Sequence, residues 1–318
     1  KIHSYGMRCV GPNCLGVVNT HPDVRMDGCF AESLPERGNI GFVSQSGALG
    51  GGILNILKDL NLGFAQFISI GNQADVNAET ALEYWENDED VEQILLYMES
   101  IQNPANFRKL ASRISRKKPV LALKAGRSAA GASAASSHTG SLAGADKAAN
   151  ALLKQSGVIR EYSLKNLFAT AKVFANCPIP QGDRVAIITN SGGPGIMATD
   201  AISEYGMQMA KITDETKEKL RSFLPSAASV KNPIDMIASA PIEHYKQTLE
   251  TVIADPNVDM IITIYLPFLG LKDIDVAQAL MEIKAQHPEK PIIGVFMTKS
   301  EFFTKLSNMD VNMPFFMY

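Results

Sequence analysis

From residue 39 onward the chain alternates short runs rich in β-branched and aromatic residues with longer amphipathic segments. That order admits few folds, the foremost being a parallel sheet whose crossovers are helices. Residues 40–43 predict a strand, 48–60 a helix, 64–70 a strand and 78–86 a helix. A third strand is expected over 93–98, a helix that Pro104 opens in its first turn, and a fourth strand over 119–124. The stretch 125–144, dominated by Gly, Ala and Ser, reads as a loop; a helix to about Gln155, a short strand over 158–161 and a helix up to Phe174 follow. Five βα units are enough for one doubly wound domain.

The pattern then restarts. Strands are expected over 184–188, 207–210, 260–265 and 291–297, and helices over 195–205, 213–223 and 243–254. Asp214 and Glu215 suit the N-terminus of the second of these helices. Residues 224–235 read as a loop with two prolines, and the proline-containing stretch 176–183 reads as a linker. The halves also match each other: Gly41-Phe42-Val43-Ser44-Gln45-Ser46-Gly47 aligns with Ala186-Ile187-Ile188-Thr189-Asn190-Ser191-Gly192 at a constant offset of 145 residues. Two domains agree with a length of 318 residues, since single cores stop growing near about 250–300.

Charge and cysteine content exclude several classes. With 30 Lys+Arg against 33 Asp+Glu, the net charge of −3 offers no broad basic face, so neither nucleic acid nor an anionic membrane is an expected partner. The longest apolar run, Met260 to Leu271, is interrupted by Pro267 and falls short of the ~20 residues of a membrane span. Cys9, Cys14, Cys29 and Cys177 form no C-x-x-C pair and read as reduced thiols of a cytoplasmic protein. The first residue is Lys1 rather than Met, with a strand-like stretch just after it, and the end at Tyr318 is abrupt. The expectation is a portion of a larger protein.

Three features carry chemistry. The twin strand-Ser-Gly-helix turns, Ser46-Gly47 and Ser191-Gly192-Gly193, leave outward-pointing backbone N–H groups at the positive end of a helix dipole, which favours phosphate. The plainer alternative is a tight turn with a serine cap, and neither turn matches a P-loop or dinucleotide fingerprint. Two equivalent turns admit two sites or two halves of one. His138, within Ser136-Ser137-His138-Thr139-Gly140-Ser141, is a nucleophile presented among small residues, or else an exposed histidine in a linker. It has no second His or Cys at ligand spacing, so no metal site is expected. Glu99 follows a strand, at the carboxyl edge where ligands bind, and can hold an imidazole; the alternative is a surface glutamate that leads a helix. Gly71-Asn72-Gln73-Ala74-Asp75 occupies the corresponding place after the second strand, and Asp235 reads as a helix cap.

Taken in order, Gly11-Pro12-Asn13-Cys14-Leu15-Gly16, Ser44-Gln45-Ser46-Gly47-Ala48, Ile70-Gly71-Asn72, Ser137-His138-Thr139-Gly140-Ser141 and Asn232-Pro233-Ile234-Asp235 resemble the nucleoside-diphosphate-forming acyl-CoA synthetases. The nearest branch in pattern is the ADP-forming acetate–CoA ligases, relatives of succinyl-CoA synthetase. The resemblance implies two flavodoxin-like doubly wound parallel-sheet domains, 31–176 and 183–318, with 1–30 the tail of a missing CoA-binding domain. It implies phosphate attack on acyl-CoA, transfer of the phosphoryl group from acyl phosphate to His138, and its delivery to ADP. Glu99 would hold the histidine, and Ser46, Gly47, Ser191, Gly192 and Gly193 would bind the phosphoryl group. Asn13, Gln45, Gly71 and Asn72 match the substrate or CoA end. CoA and ATP/ADP with Mg²⁺ are the implied cofactors, an ATP-grasp domain or subunit the implied partner, and an oligomer the implied assembly. Gly51 stands where succinyl-CoA synthetases carry a tyrosine, which argues against succinate. Because some fusions join these domains to a GNAT acetyltransferase module, the alternative is the regulatory, ligand-binding half of a protein lysine acetyltransferase.

Overall fold

The computed structural model describes residues 1–139, 146–268 and 270–318, with the backbone alone for 135–139. It divides into two units, Lys1–Ala175 and Asn176–Tyr318. The first contains β1 (Gly16–Asn19), β2 (Met26–Cys29), β3 (Ile40–Ser44), α1 (Gly47–Ile56), β4 (Phe64–Ser69), α2 (Ala78–Trp85), β5 (Gln93–Met98), α3 (Pro104–Ile114), β6 (Val120–Lys124), α4 (Ala129–Thr139), α5 (Asp146–Gln155), β7 (Ile159–Glu161) and α6 (Leu164–Asn176).

The strands lie in the order β2-β1-β4-β3-β5-β6-β7. From β4 onward all pairs are parallel, and the order of successive strands is 2-1-3-4-5, the flavodoxin-like arrangement. Every residue of β3 is buried, as a central strand covered on both faces requires. One face packs Val43, Ile94, Leu96 and Val120 against Leu82, Trp85, Phe107 and Leu110. The other packs Phe42, Phe67, Leu95 and Leu121 against Ile53, Leu54, Leu167 and Phe168. Asn77 and Asn103 cap α2 and α3 with their side-chain oxygens, and Pro104 stands in the first turn of α3, where a missing N–H costs nothing.

The second unit comprises β8 (Arg184–Thr189), α7 (Gly192–Glu204), β9 (Gln208–Met209), α8 (Asp214–Phe223), β10 (Ile234–Asp235), α9 (Ile242–Ile253), β11 (Met260–Tyr265), α10 (Asp273–Gln286), β12 (Ile292–Phe296), α11 (Ser300–Leu306) and β13 (Phe315–Phe316). Its order is β10-β8-β11-β12-β13, all parallel, with β9 also on β8. The second strand of the pattern is therefore split. β9 pairs with Arg184 and Val185, whereas β10 pairs with Ile188 and Thr189. The Asn232 side chain bridges the gap, accepting from Ile187 N at 2.9 Å and donating to the carbonyls of Val185 at 2.7 Å and Ala210 at 3.1 Å. Backbone groups of a buried strand need partners, and here one amide supplies them.

Three local expectations are corrected, and one element had no expectation. Residues 3–5 form a single 3₁₀ turn, not a strand. The stretch 125–144 is not all loop, because α4 occupies Ala129–Thr139; alanine is the best helix former, and a run of small residues reads as a linker only by composition. The first helix stops at Ile56 rather than residue 60. The hairpin of β1 and β2 extends the first sheet antiparallel to β4, outside the βα alternation that marked the other strands.

Candidate functional site

In open α/β sheets the ligand crevice lies beyond the carboxyl ends of the strands. At that edge of the first sheet, α1 begins with Ser46 as N-cap and no acidic residue in its first turn. Ser44 Oγ donates to the Ser46 carbonyl at 2.7 Å, and Ser46 Oγ accepts from Leu49 N at 3.4 Å. The side chain between them, Gln45, is buried. Gln45 Oε1 accepts from the backbone N–H of Glu99 at 2.7 Å and of Ser100 at 3.0 Å, and its Nε2 donates to Ser100 Oγ at 3.1 Å. One amide thus locks the turn after β3 to the turn after β5.

That lock seats Glu99. The residue is 7% exposed, and its Oε2 is buried with no hydrogen-bond partner among the described residues. A surface glutamate leading a helix is thereby excluded. A buried, under-satisfied carboxylate is costly, and such groups collect at functional sites because a ligand or another side chain completes them. Next to it, burial pushes the Tyr97 hydroxyl above its ordinary pKa, and the charge of Glu99 adds to the shift.

Residues 9–15 run along the segment that follows β4. Ala74 N donates to the Gly11 carbonyl at 3.0 Å, Asn72 N to the Pro12 carbonyl at 2.9 Å and Leu15 N to Ser69 Oγ at 2.9 Å. Asn13 Nδ2 donates to Asn72 Oδ1 at 3.3 Å. Gly71 has φ +50°, and a Cβ there would stand 2.3 Å from the Pro12 oxygen and 2.4 Å from that of Asn13. Only glycine permits this approach of two backbones. Asp75 closes the far end: Arg8 and then Cys9 N hold its carboxyl well below the usual range, burial opposes them, and His3 adds a smaller lowering. Asn13, Gln45, Ser46, Gly47, Gly71, Asn72 and Glu99 therefore gather at one edge.

The second unit repeats the device. Thr189 Oγ1 donates to the Ser191 carbonyl at 2.9 Å, as Ser44 does to Ser46. Asn190 accepts from Leu266 N at 3.0 Å and donates to Leu266 O at 2.8 Å, locking the turn after β8 to that after β11 as Gln45 does in the first unit. Ser191 is the N-cap of α7 but makes no side-chain cap bond, and a Cβ on Gly193 would meet nothing within 4 Å. The first turn of α7 is thus open at Gly193. Asp235, expected as a helix cap, accepts from Ile237 N at 2.9 Å through Oδ1. Its Oδ2 lies 3.4 Å from where a Cβ on Gly192 would stand, whereas Pro241 is the N-cap of the following helix.

With two such turns established, similarity to known proteins acquires a physical meaning. Residues 37–174 match a family model described as succinyl-CoA ligase like flavodoxin domain, and residues 185–305 one described as Ligase-CoA domain. A solved structure of dinucleotide forming acetyl-coenzyme A synthetase 1 from Ca. Korarchaeum cryptofilum, in complex with phosphate and ADP, superposes with a TM-score of 0.90 at 32% identity over 98% of this chain and 68% of that one. The chain belongs to the nucleoside-diphosphate-forming acyl-CoA synthetase family. Among sequence relatives, the alpha subunit of ADP-forming acetate–CoA ligase II from Pyrococcus furiosus is 43% identical over 298 residues, 93% of this chain and 64% of the relative. The ADP-forming 4-hydroxybutyrate–CoA ligase of Nitrosopumilus maritimus is 35% identical over 99% of this chain and 45% of its own length. The chain thus spans two thirds or less of the length of these sequence relatives.

As a member of the synthetase family, the chain presents its candidate residues unequally. His138 falls on α4, but its side chain lies outside the described residues. The positioning residues Ser69 and Ser100 were marked by no motif, because a hydroxyl that serves a neighbouring backbone or amide leaves no spacing signal. Asn232 stood in a quoted motif without a role, and the structure gives it one inside the sheet. Among the described residues no three His, Cys, Asp or Glu converge on a metal position, and no helix is long and apolar enough to cross a membrane.

Proposed function

We propose that this chain is the phosphohistidine-carrying part of an ADP-forming acyl-CoA synthetase of the acetate–CoA ligase type, cytoplasmic and assembled with further domains or subunits. The supporting observation is Glu99, a buried carboxylate with one oxygen unpartnered among the described residues, held by Gln45 beside a helix N-terminus free of acidic side chains. In the first step, phosphate attacks the thioester carbonyl and CoA leaves as the thiol, giving acyl phosphate. In the second, an imidazole nitrogen of His138 attacks phosphorus and the carboxylate leaves. In the third, ADP takes the phosphoryl group and becomes ATP.

The roles follow from charge. The helix N-termini at Ser46-Gly47 and at Ser191-Gly192-Gly193 accept the phosphoryl oxygens at different stages. The Glu99 carboxylate stabilises the imidazole as it becomes cationic, and fixes which nitrogen attacks. Asn13, Gly71 and Asn72 border the acyl-CoA end, Gln45 acts through Glu99 and Ser100, and residues 1–30 are the segment leaving a CoA-binding domain. An ATP-grasp module outside this chain would hold the nucleotide, and Mg²⁺ bound there would neutralise charge on its phosphates.

The test is phosphorylation of the full-length parent with ATP and Mg²⁺, beside His138→Ala and Glu99→Gln. An acid-labile, alkali-stable label is expected, absent in His138→Ala and formed more slowly in Glu99→Gln. No label in a parent that binds ATP refutes the reading, and equal rates in Glu99→Gln remove Glu99 from it.

A further inference from the structure

Four side chains meet at the base of the segment that carries His138. Arg127 stands just beyond β6, where that segment departs, and Asp146 opens α5, where it returns. Tyr162, immediately after β7, lies between them: the guanidinium carbon of Arg127 is 5.1 Å from the centre of its ring, and that of Arg160 is 4.9 Å. Arg160 in turn pairs with the Asp146 carboxylate through Nη2 and donates from Nη1 to the Asp146 carbonyl at 3.4 Å. Tyr162 Oη also donates to Asn150 Oδ1 in α5 at 3.4 Å.

This arrangement costs more than a plain packing contact. The Arg160 side chain is 5% exposed, and its Nε is buried with no acceptor among the described residues. Two cations share one ring, and among the described residues Asp146 pairs with one of them, Arg160. Lys124, buried at the end of β6, adds a third cation: burial lowers its pKa, and Asp146 is the largest opposing influence. A buried ion pair adds little net stability over an apolar replacement, and its best-attested use is to fix one register. Here the register set is that of the two ends of a single segment.

We propose that Arg127, Tyr162, Arg160 and Asp146 form a clamp that ties together both ends of the His138 segment and so positions the histidine for phosphoryl transfer. These are positioning residues; none of them is assigned contact with substrate. The catalytic half of this inference rests on the phosphohistidine function proposed above. The clamp acts on the second step, in which the His138 nitrogen–phosphorus bond forms and the acyl oxygen–phosphorus bond breaks. It leaves the first, in which phosphate displaces CoA from the thioester without the histidine.

The experiment uses the full-length enzyme carrying Tyr162→Leu, which removes both cation–π contacts, and Tyr162→Phe, which keeps them. Two rates are read separately: thiol release from acyl-CoA with phosphate, and labelling of His138 by acyl phosphate. Tyr162→Leu should slow labelling about tenfold, the combined size of two such contacts, and change thiol release less than about twofold. Tyr162→Phe should restore labelling. An equal fall in both rates, or no fall in labelling, overturns the proposal. Hydrogen exchange gives a readout independent of catalysis: amides of α4 should exchange faster in Tyr162→Leu and at the parental rate in Tyr162→Phe, and unchanged exchange in the Leu variant refutes the clamp. A parent that takes no label would refute the phosphohistidine function while the exchange data still decide the clamp.

Discussion

Replacing Gln45 by methionine keeps the length and volume of the side chain but removes an amide that holds two turns together. The N–H groups of Glu99 and Ser100 lose the acceptor they share at 2.7 and 3.0 Å, and Ser100 Oγ loses a donor at 3.1 Å. A buried donor left unmade costs about 1–3 kcal/mol. Glu99 N is fully within the protein, but the bond to Ser100 is only partly buried, so water recovers some of the second loss. The expected loss is about 2–4 kcal/mol. The chain holds a single tryptophan, and Trp85 is fully buried in the first unit, so its fluorescence in urea follows that unit alone. With a slope of about 2 kcal/mol per molar urea, the midpoint should fall by about 1–2 M. A fall worth less than about 0.5 kcal/mol, the scatter of ordinary surface changes, would refute the claim that this amide locks the site. If the loss is as large as expected but the full-length enzyme still phosphorylates His138 at the parental rate, Glu99 does not need to be held where Gln45 places it.

Three more outcomes follow from the geometry. Gly71→Ala should cost about 2–4 kcal/mol in the same Trp85 assay, because the methyl group meets two backbone oxygens and φ is positive; a loss below about 1 kcal/mol would show that residues 9–15 yield easily. Arg184, through Nε and Nη2 at 2.8 Å each, holds the Asp259 carboxyl down at about 2 from its ordinary 3.8, with burial a smaller opposing influence. Since the folded value is depressed, the stabilisation is present above about pH 4 and is lost as pH falls through 2. The difference in Tm between parent and Asp259→Asn should therefore narrow over that window, and a constant gap would exclude the carboxylate as its source. Asn232→Ala should destabilise the second unit by about 2–4 kcal/mol by opening the join between β9 and β10, read by near-ultraviolet circular dichroism of its tyrosines; an unchanged transition would mean that the split strand closes without the amide.

Much of this protein is written locally. Alternation of strand-like and amphipathic runs reports which residues face a core, and every turn of the chain must satisfy that requirement, so β3 to β9, β11 and β12 were legible, whereas the hairpin β1–β2 and the two-residue strands β10 and β13 were not. The repeat at an offset of 145 residues made the twin turns legible too, since a Ser-Gly step opening a helix has one local geometry wherever it occurs. Composition misled where it had no periodicity to lean on. The small residues before His138 carry no amphipathic signal, so the helix propensity of alanine was hidden behind their likeness to a linker.

What tertiary structure decided is which partners the polar groups find. Gln45 and Asn190 occupy equivalent positions in the repeat, yet their shared role exists only because β5 and β11 come to lie beside β3 and β8. Glu99 is a carboxylate in any sequence reading, but its burial depends on a turn more than fifty residues away. Asp235 reads as a cap for the helix that follows it and instead stands at the start of α7, more than forty residues earlier in the chain. Local sequence determines the elements because backbone dihedrals and faces are set by near neighbours. The charges and hydrogen bonds of the site are set by neighbours distant along the chain, which become neighbours only when the sheet forms.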